Sequence, residues 1–282
     1  MVLSISDYST DIIPTWCPGC GNYVINAMLK KALVELDIKP YNTVLTFDIG
    51  CAGNGADKIK GYNFKVLHGR AILPAIGVKY INPDLTVISI IGDGGMYWEG
   101  AAHWIAASQR NEDITVLVSN NQIYGLTTGQ TAPTTEKDYP TKTYPSGTPD
   151  EPVNPIAVSI SAGATFVARG WVGEPEHLKE LIKQAILHKG FAIVDILQTC
   201  VTWNHLNTLD YYRERVYKLE DINHDTSSKI KALERALETE KTPIGVFYRE
   251  NKETIYEKYP LVSKKAGLLV KSRSIKNLLE EF

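Results

Sequence analysis

The sequence predicts an α/β protein, an open and mostly parallel sheet with helices on both faces, and three observations lead there. The apolar runs are short and rich in β-branched residues, they alternate with segments of helical periodicity, and they are apolar at consecutive positions, as in strands buried on both faces. NYVINAMLKKALVEL at 22–36 reads as a helix and VLTFDIG at 44–50 as the first strand. GRAILPAIGVKYI at 69–81 predicts the next helix and LTVISIIG at 85–92 the second strand. WEGAAHWIAASQRN at 98–111 is helical, with His103 and Trp104 at core spacing and expected to pack. ITVLVSN at 114–120 is the third strand, PEHLKELIKQAILHK at 175–189 a helix, and FAIVDILQ at 191–198 the fourth strand. The polar, proline-rich stretch TAPTTEKDYPTKTYPSGTPDEPVNP at 131–155 predicts a long surface loop near a site. After residue 206 the chain is highly charged, then strand-like at PIGVFYR (243–249), with a terminal helix predicted at 266–282. Residues 1–210 are therefore read as the main domain and 211–282 as an extension packed on it or on a partner.

Composition narrows the function. With 282 residues and 44% hydrophobic content the chain can bury a large core. A formal charge of −2, with Lys and Arg spread along the sequence, gives no basic stripe for a phosphate backbone, so no nucleic-acid partner is expected. The start MVLSISDYSTDII lacks the charge and apolar pattern of a signal peptide, and no stretch approaches the roughly 18 apolar residues of a membrane span. A cytoplasmic protein without membrane contact is expected. Four unevenly spaced cysteines do not make a disulfide framework; in a reducing compartment they are metal ligands, reactive groups or inert core.

In open parallel sheets ligands sit beyond the carboxyl ends of the strands. Cys51 ends the first predicted strand, Gly92-Asp93-Gly94 the second and Asn120-Asn121 the third, and Cys200 follows the fourth. GDG followed after 25 residues by NN is a specific signal. A carboxylate and a carboxamide at neighbouring strand ends, with a nearby main-chain carbonyl, offer hard oxygens to Mg²⁺, which keeps its remaining positions for diphosphate oxygens. The glycines let the backbone come close, and the following helix N-terminus favours an anion. A strand–turn with an Asp N-cap would explain GDG by itself but not the NN pair. A dinucleotide fingerprint fits less well, because GCAGNG at 50–55 is spaced G-x-x-G-x-G. Cys17 and Cys20 in TWCPGCGNY form a C-x-x-C, which serves as a redox dithiol, half of a zinc site or half of an iron–sulfur site. Structural zinc more often uses two close pairs, and a dithiol would leave Cys51 and Cys200 idle.

The GDG…NN pairing resembles the thiamine diphosphate motif. The longer run IGDGGMYWEGAAHWIAASQRNEDITVLVSNNQIYGLTTGQTAPT, preceded by WCPGCGN, DIGCAG and LHGRAILPAIGVK, resembles the β subunit of 2-oxoacid:ferredoxin oxidoreductases. The similarity covers residues 12–210 and continues more weakly through VYKLEDINHD and PIGVFYRE. It implies a thiamine diphosphate-binding domain of the diphosphate type, with Mg²⁺ held by Asp93, Asn121 and the carbonyl of Ile123. Gly92, Gly94 and Asn120 would lie along the diphosphate, with Gly95, Tyr124, Gly125 and Cys51 beside the cofactor. The resemblance places a [4Fe–4S] cluster on Cys17, Cys20, Cys51 and Cys200, and soft thiolates suit such a cluster. It places His68, in VLHGR, close to the thiazolium, either relaying a proton at the reacting carbon or bracing the cofactor loop.

Two departures from the family pattern matter. The family usually reads GDGD where this chain has Gly95, which leaves the packing of that turn open. Asn54 stands where some 2-oxoglutarate-using relatives carry lysine, so no counter-charge for a distal carboxylate is expected there. The implied activity is oxidative decarboxylation of a 2-oxoacid, with electrons passing through the cluster to ferredoxin and the acyl group to coenzyme A. The glutamate that activates thiamine belongs to a separate pyrimidine-binding domain, so an α subunit, fused to γ in some relatives, is the expected partner. LLVKSRSIKNLLEEF at the end of the sequence is a docking helix or a helix packed on its own domain. The alternatives are a non-oxidative thiamine diphosphate decarboxylase or synthase subunit, which would not need four cysteines, and a zinc-bound non-catalytic scaffold.

Overall fold

The computed structural model describes residues 3–258. In chain order the helices are α1 (Ile5–Tyr8), α2 (Asn22–Glu35), α3 (Ile72–Ile81), α4 (Ala101–Arg110), α5 (Pro155–Ala162), α6 (Pro175–Leu187), α7 (Leu209–Arg215), α8 (Lys229–Ala236) and α9 (Ile255–Lys258). The strands are β1 (Thr43–Phe47), β2 (Tyr62–Lys65), β3 (Thr86–Gly92), β4 (Thr115–Asn120), β5 (Ile123–Tyr124), β6 (Gln130–Thr131), β7 (Phe166–Trp171), β8 (Ala192–Leu197), β9 (Val216–Lys218) and β10 (Thr242–Arg249). Eight of them form one sheet in the order β2-β1-β3-β4-β8-β7-β10-β9. All its neighbouring pairs run parallel except β7 with β10, which are antiparallel. The predicted fold class is the observed one. No helix among the described residues is long and apolar enough to cross a membrane.

Alternation along the strands builds a core on each face. Leu45, Phe47, Ile88, Ile90, Leu117 and Val194 pack with Ile25, Leu29 and Leu33 of α2 and with Leu178, Leu181 and Ile182 of α6. Val44, Val87, Ile91, Val116, Val118 and Ile193 face the other way, onto Ile72 of α3, Trp104 of α4 and Ile156 and Ile160 of α5. Each fully buried aliphatic chain contributes roughly 1.5–3 kcal/mol before chain entropy is set against it. The four predicted strands and four predicted helices all lie within these layers. Trp104 is core, as expected, and His103 is partly buried.

The structure departs from the sequence reading in several places. Strand β1 stops at Phe47, so Cys51 lies four residues beyond it, before the tight turn Ala52–Gly55. The helix predicted from residue 98 is preceded by a π-helical turn, Gly95–Glu99, and α4 proper starts at Ala101. Such turns concentrate at functional sites. The 131–155 loop begins with five buried residues, 131–135, and only later reaches the surface. Apolar periodicity does not mark β7, because FVARGW carries Arg169 and Gly170; Arg169 is admitted by its ion pair with buried Asp195 at 3.2 Å. Segments after residue 210 supply β9 and β10 to the same sheet. The terminal helix expected at 266–282, and with it the docking helix, lies outside the described residues.

Asn111 ties distant segments together. It ends α4 in the left-handed conformation (φ 51°), which Asn tolerates better than most residues. Its buried Oδ1 accepts from the Phe191 N–H (2.9 Å) and the Thr165 hydroxyl (2.7 Å), and its Nδ2 donates to the Lys252 carbonyl (3.0 Å). Asn111→Ala should lower stability by about 3 kcal/mol, through backbone strain and buried groups left unpaired. Asn223 has the same backbone geometry (φ 52°) at an exposed site, so Asn223→Ala measures the strain alone. Denaturant unfolding of both variants checks this, and equal losses would mean that the hydrogen bonds contribute nothing.

Candidate functional site

The carboxyl ends of β1, β3, β4 and β8 open on one edge because the strands run parallel in register. There a cavity of about 140 Å³ is lined by Cys51, His68, Gly92 to Gly95, Ser119, Asn121, Ile123, Tyr124 and Gly125, with neighbouring residues. The backbone of the GDGG turn forms its floor. A Cβ on Gly94 would stand 2.2 Å from the Tyr124 ring, and one on Gly95 would stand 1.8 Å from Asp48 Oδ2, so both positions exclude a side chain as packed.

Asp93 is buried at 4% exposure, and burial pushes its carboxyl up to about 7, partly offset by hydrogen bonds from Thr134 and the Gly94 N–H. The Thr134 hydroxyl lies 2.8 Å from Asp93 Oδ2 and 2.9 Å from Asn120 Oδ1. One hydroxyl proton serves one acceptor at a time, so this pocket has more oxygen lone pairs than protons to satisfy them. Asn121 Oδ1 turns back to accept from the Ile123 N–H at 3.1 Å, holding the loop so that Asn121 and Ile123 both line the cavity. One carboxylate, one carboxamide and one carbonyl form a hard oxygen donor set that fits Mg²⁺, with positions left for diphosphate.

Asn120, expected along the diphosphate, does not line this cavity, although the Thr134 hydroxyl links its Oδ1 to Asp93. Its Nδ2 donates to Asp195 Oδ1 at 2.9 Å, and it lines a separate cavity of about 480 Å³ with Arg169 and Asp195. Strand alternation is the reason: Ser119 and Asn121 point to one face and Asn120 to the other. Ser119 is the residue that this alternation could have identified from sequence.

His68 lies at the cavity wall. Its Nδ1 is 2.9 Å from Asp48 Oδ2, and its Nε2 is 3.5 Å from Glu99 Oε2. The hydrogen bond to Asp48 raises the imidazole above its ordinary value, burial opposes it, and Asp48, Glu99 and Asp93 add attraction. The Tyr124 hydroxyl donates to the Glu99 carboxylate, 2.8 and 2.9 Å from its two oxygens. Asp48, Glu99 and Thr134 are site residues that the motifs do not flag. Asn54 accepts from Lys65 Nζ at 3.4 Å, so an ammonium does stand beside the position expected to lack one.

The four cysteines are all free: Cys17 is exposed, Cys20 and Cys51 are half-buried and Cys200 is buried. Gly125 separates two of them, since a methyl there would lie 3.3 Å from Cys200 Sγ and 3.7 Å from Cys51 Sγ. The Gly21 N–H donates to the Thr199 carbonyl (3.4 Å) and draws the C-x-x-C loop to the end of β8. The Thr202 hydroxyl donates to Cys17 Sγ (3.2 Å), and Asn22 Nδ2 to Cys20 Sγ (3.5 Å). Burial, then the neighbouring Cys20, Cys200 and Cys17, push the Cys51 thiol up to about 12. Burial and the neighbouring thiols disfavour a thiolate at Cys51 and Cys20, a cost that a bound cation would relieve. Among the described residues no three His, Cys, Asp or Glu side chains are close enough to share one metal ion.

Two family profiles and several known proteins are similar to this chain. The family profile for the thiamine pyrophosphate enzyme, C-terminal TPP binding domain, matches residues 48–196, and the profile for the C-terminal part of the pyruvate ferredoxin oxidoreductase beta subunit matches residues 200–264. The chain is similar to the 2-oxoacid:ferredoxin oxidoreductase 1 subunit beta of Aeropyrum pernix, with 41% identity covering 90% of this chain and 83% of that protein. It is 44% identical to the 2-oxoacid:ferredoxin oxidoreductase subunit beta of Saccharolobus solfataricus, over 86% of this chain and 84% of the other. A solved structure, 2-oxoglutarate:ferredoxin oxidoreductase from Magnetococcus marinus with 2-oxoglutarate, coenzyme A and succinyl-CoA bound, superposes with a TM-score of 0.89. Its identity is 34%, covering 99% of this chain and 95% of that one.

The thiol environments predict an order of reaction. In iron-free protein a maleimide should label Cys17 first, and Cys51 and Cys200 last, because burial blocks access and suppresses the Cys51 thiolate. Peptide mass spectrometry over time reads the order, and equal rates at Cys17 and Cys51 would contradict the geometry.

Proposed function

From the premise that the chain belongs to the β subunits of 2-oxoacid:ferredoxin oxidoreductases, thiamine diphosphate enzymes that decarboxylate a 2-oxoacid oxidatively, we propose that it binds thiamine diphosphate–Mg²⁺ and a [4Fe–4S] cluster side by side at one sheet edge. The observation that carries this reading is the shared wall: Cys51 and Gly125 line the cavity that holds Asp93, Asn121 and Ile123, and a Cβ on Gly125 would stand 3.3 Å from the Cys200 thiol. Asp93, Asn121 and the Ile123 carbonyl would hold the metal, the GDGG backbone would receive the diphosphate, and Cys17, Cys20, Cys51 and Cys200 would hold the cluster. Bound there, the thiazolium would supply a nucleophilic carbon for the keto group and a cationic ring to take up the electron pair left by loss of CO₂, and the cluster would supply a one-electron acceptor.

The chain's own residues have separable tasks. Gly94 and Gly95 let the Tyr124 ring and the Asp48 carboxylate pack against the turn, and Asp93 would supply the single negative charge of the metal site. His68, one-third exposed toward the cavity, holds a proton there through its bond to Asp48. Tyr124 lines the cavity and its hydroxyl is held by Glu99. Ferredoxin, coenzyme A and an α subunit, or a fused γ–α chain, complete the enzyme, and its thiol-bound iron favours the reducing cytoplasm. The non-oxidative alternative leaves the four thiols without a use, and for the zinc scaffold no three of them among the described residues lie close enough to share one ion.

Iron and acid-labile sulfide should each approach four per chain in anaerobically purified protein, with visible charge-transfer absorption. Zinc in their place, or no metal, would overturn the cluster assignment. Calorimetry with thiamine diphosphate should show that Asp93→Ala loses Mg²⁺-dependent affinity by more than the roughly 100-fold that loss of an outer-shell partner costs, while Asn121→Ala loses less. Wild-type affinity in Asp93→Ala would overturn the metal site.

A further inference from the structure

Asp48 has no task in the metal, diphosphate or cluster sites, yet it is fully buried at their common edge. It is the residue after β1, fixed by its N–H donating to the Ile90 carbonyl of β3 at 3.1 Å. Its Oδ1 accepts from the Gly69 N–H at 2.7 Å, and its Oδ2 accepts from His68 Nδ1 at 2.9 Å. Because an ionised carboxylate only accepts, the hydrogen must sit on Nδ1. That leaves Nε2 as the nitrogen that exchanges protons, on the side of Glu99. The same Oδ2 fills the space above Gly95, where a Cβ would stand 1.8 Å from it and 3.1 Å from His68 Cε1. A carboxylate therefore occupies this point, delivered from the end of β1, and the π-helical turn carries no side chain there.

We propose that Asp48 is a positioning residue for His68, fixing its tautomer and aiming Nε2 at the reaction cavity, and that Asp48 and Gly95 form a coupled pair in which only one position can carry the carboxylate. For catalysis this rests on the proposed function; for the tautomer and the space it does not. The charged and titratable groups facing His68 are Asp48, Glu99 from the π-helical turn, Asp93 from the end of β3 and Tyr124 from β5, with Arg70 bonded to the Glu99 carbonyl. All but Arg70 are acidic, so loss of the Asp48 charge moves the His68 midpoint to lower pH.

The test uses the full chain labelled with ¹⁵N-histidine, with His68 assigned by His68→Gln, and the complex with its partner subunit for rates. Wild type should show protonated Nδ1 and a raised midpoint. Asp48→Asn should shift that midpoint down by more than a tenfold change in proton affinity, and the pH–rate limb of the complex should move with it. Gly95→Asp alone should lose thermal stability and activity, whereas Asp48→Gly with Gly95→Asp should recover both and the raised midpoint. An unchanged His68 tautomer and midpoint in Asp48→Asn would overturn the proposal, as would Gly95→Asp matching the double variant. A wild-type complex unable to oxidise any 2-oxoacid would refute the proposed function, while the histidine spectra would still decide the role of Asp48.

Discussion

The site depends on the parallel register of β1, β3, β4 and β8. Backbone hydrogen bonds continue that register past the strand ends, from the Asp48 N–H to the Ile90 carbonyl (3.1 Å) and from the Gln198 N–H to the Asn120 carbonyl (2.9 Å). Four loops far apart in the sequence thereby leave the sheet at one edge. Their side chains need not find one another independently. A one-residue slip in β4 would exchange the faces of Asn120 and Asn121.

Electrostatically the edge is poised for cations. Asp93 is buried with its carboxyl pushed up to about 7, and the Cys51 thiol is raised to about 12 by burial and neighbouring thiols. Asp48 and Glu99 flank His68, and Tyr124 is raised by burial and by Glu99. Bound cations would relieve the cost that burial and neighbouring groups impose on an ionised Asp93 or Cys51. The glycines at 94 and 95 make room for the Tyr124 ring and the Asp48 carboxylate beside the turn.

Much of this was legible from sequence, for identifiable reasons. Runs such as TVISIIG and TVLVSN are apolar on both faces, which only a covered parallel strand requires, and GDG with NN marks their ends. Strand β7 was not legible because buried Arg169 breaks its pattern and is explained only by Asp195, 26 residues away in β8. The facing of Asn120 depended on the last residue of β4, and strand ends are the least secure part of any reading. Asp48 escaped notice because a lone Asp after a strand carries no spacing signal. Its meaning emerges only when the GDGG turn is folded against it.

The central claim is that cluster and thiamine site share the wall formed by Cys51 and Gly125. Its most direct test is electron–nuclear double resonance on the reduced, partner-bound enzyme loaded with thiamine diphosphate carrying ¹³C in the thiazolium ring. A ¹³C coupling to the cluster spin, lost when unlabelled cofactor is used, is the predicted result. A fully loaded, reduced enzyme with no ¹³C coupling would place the two groups apart and contradict the account.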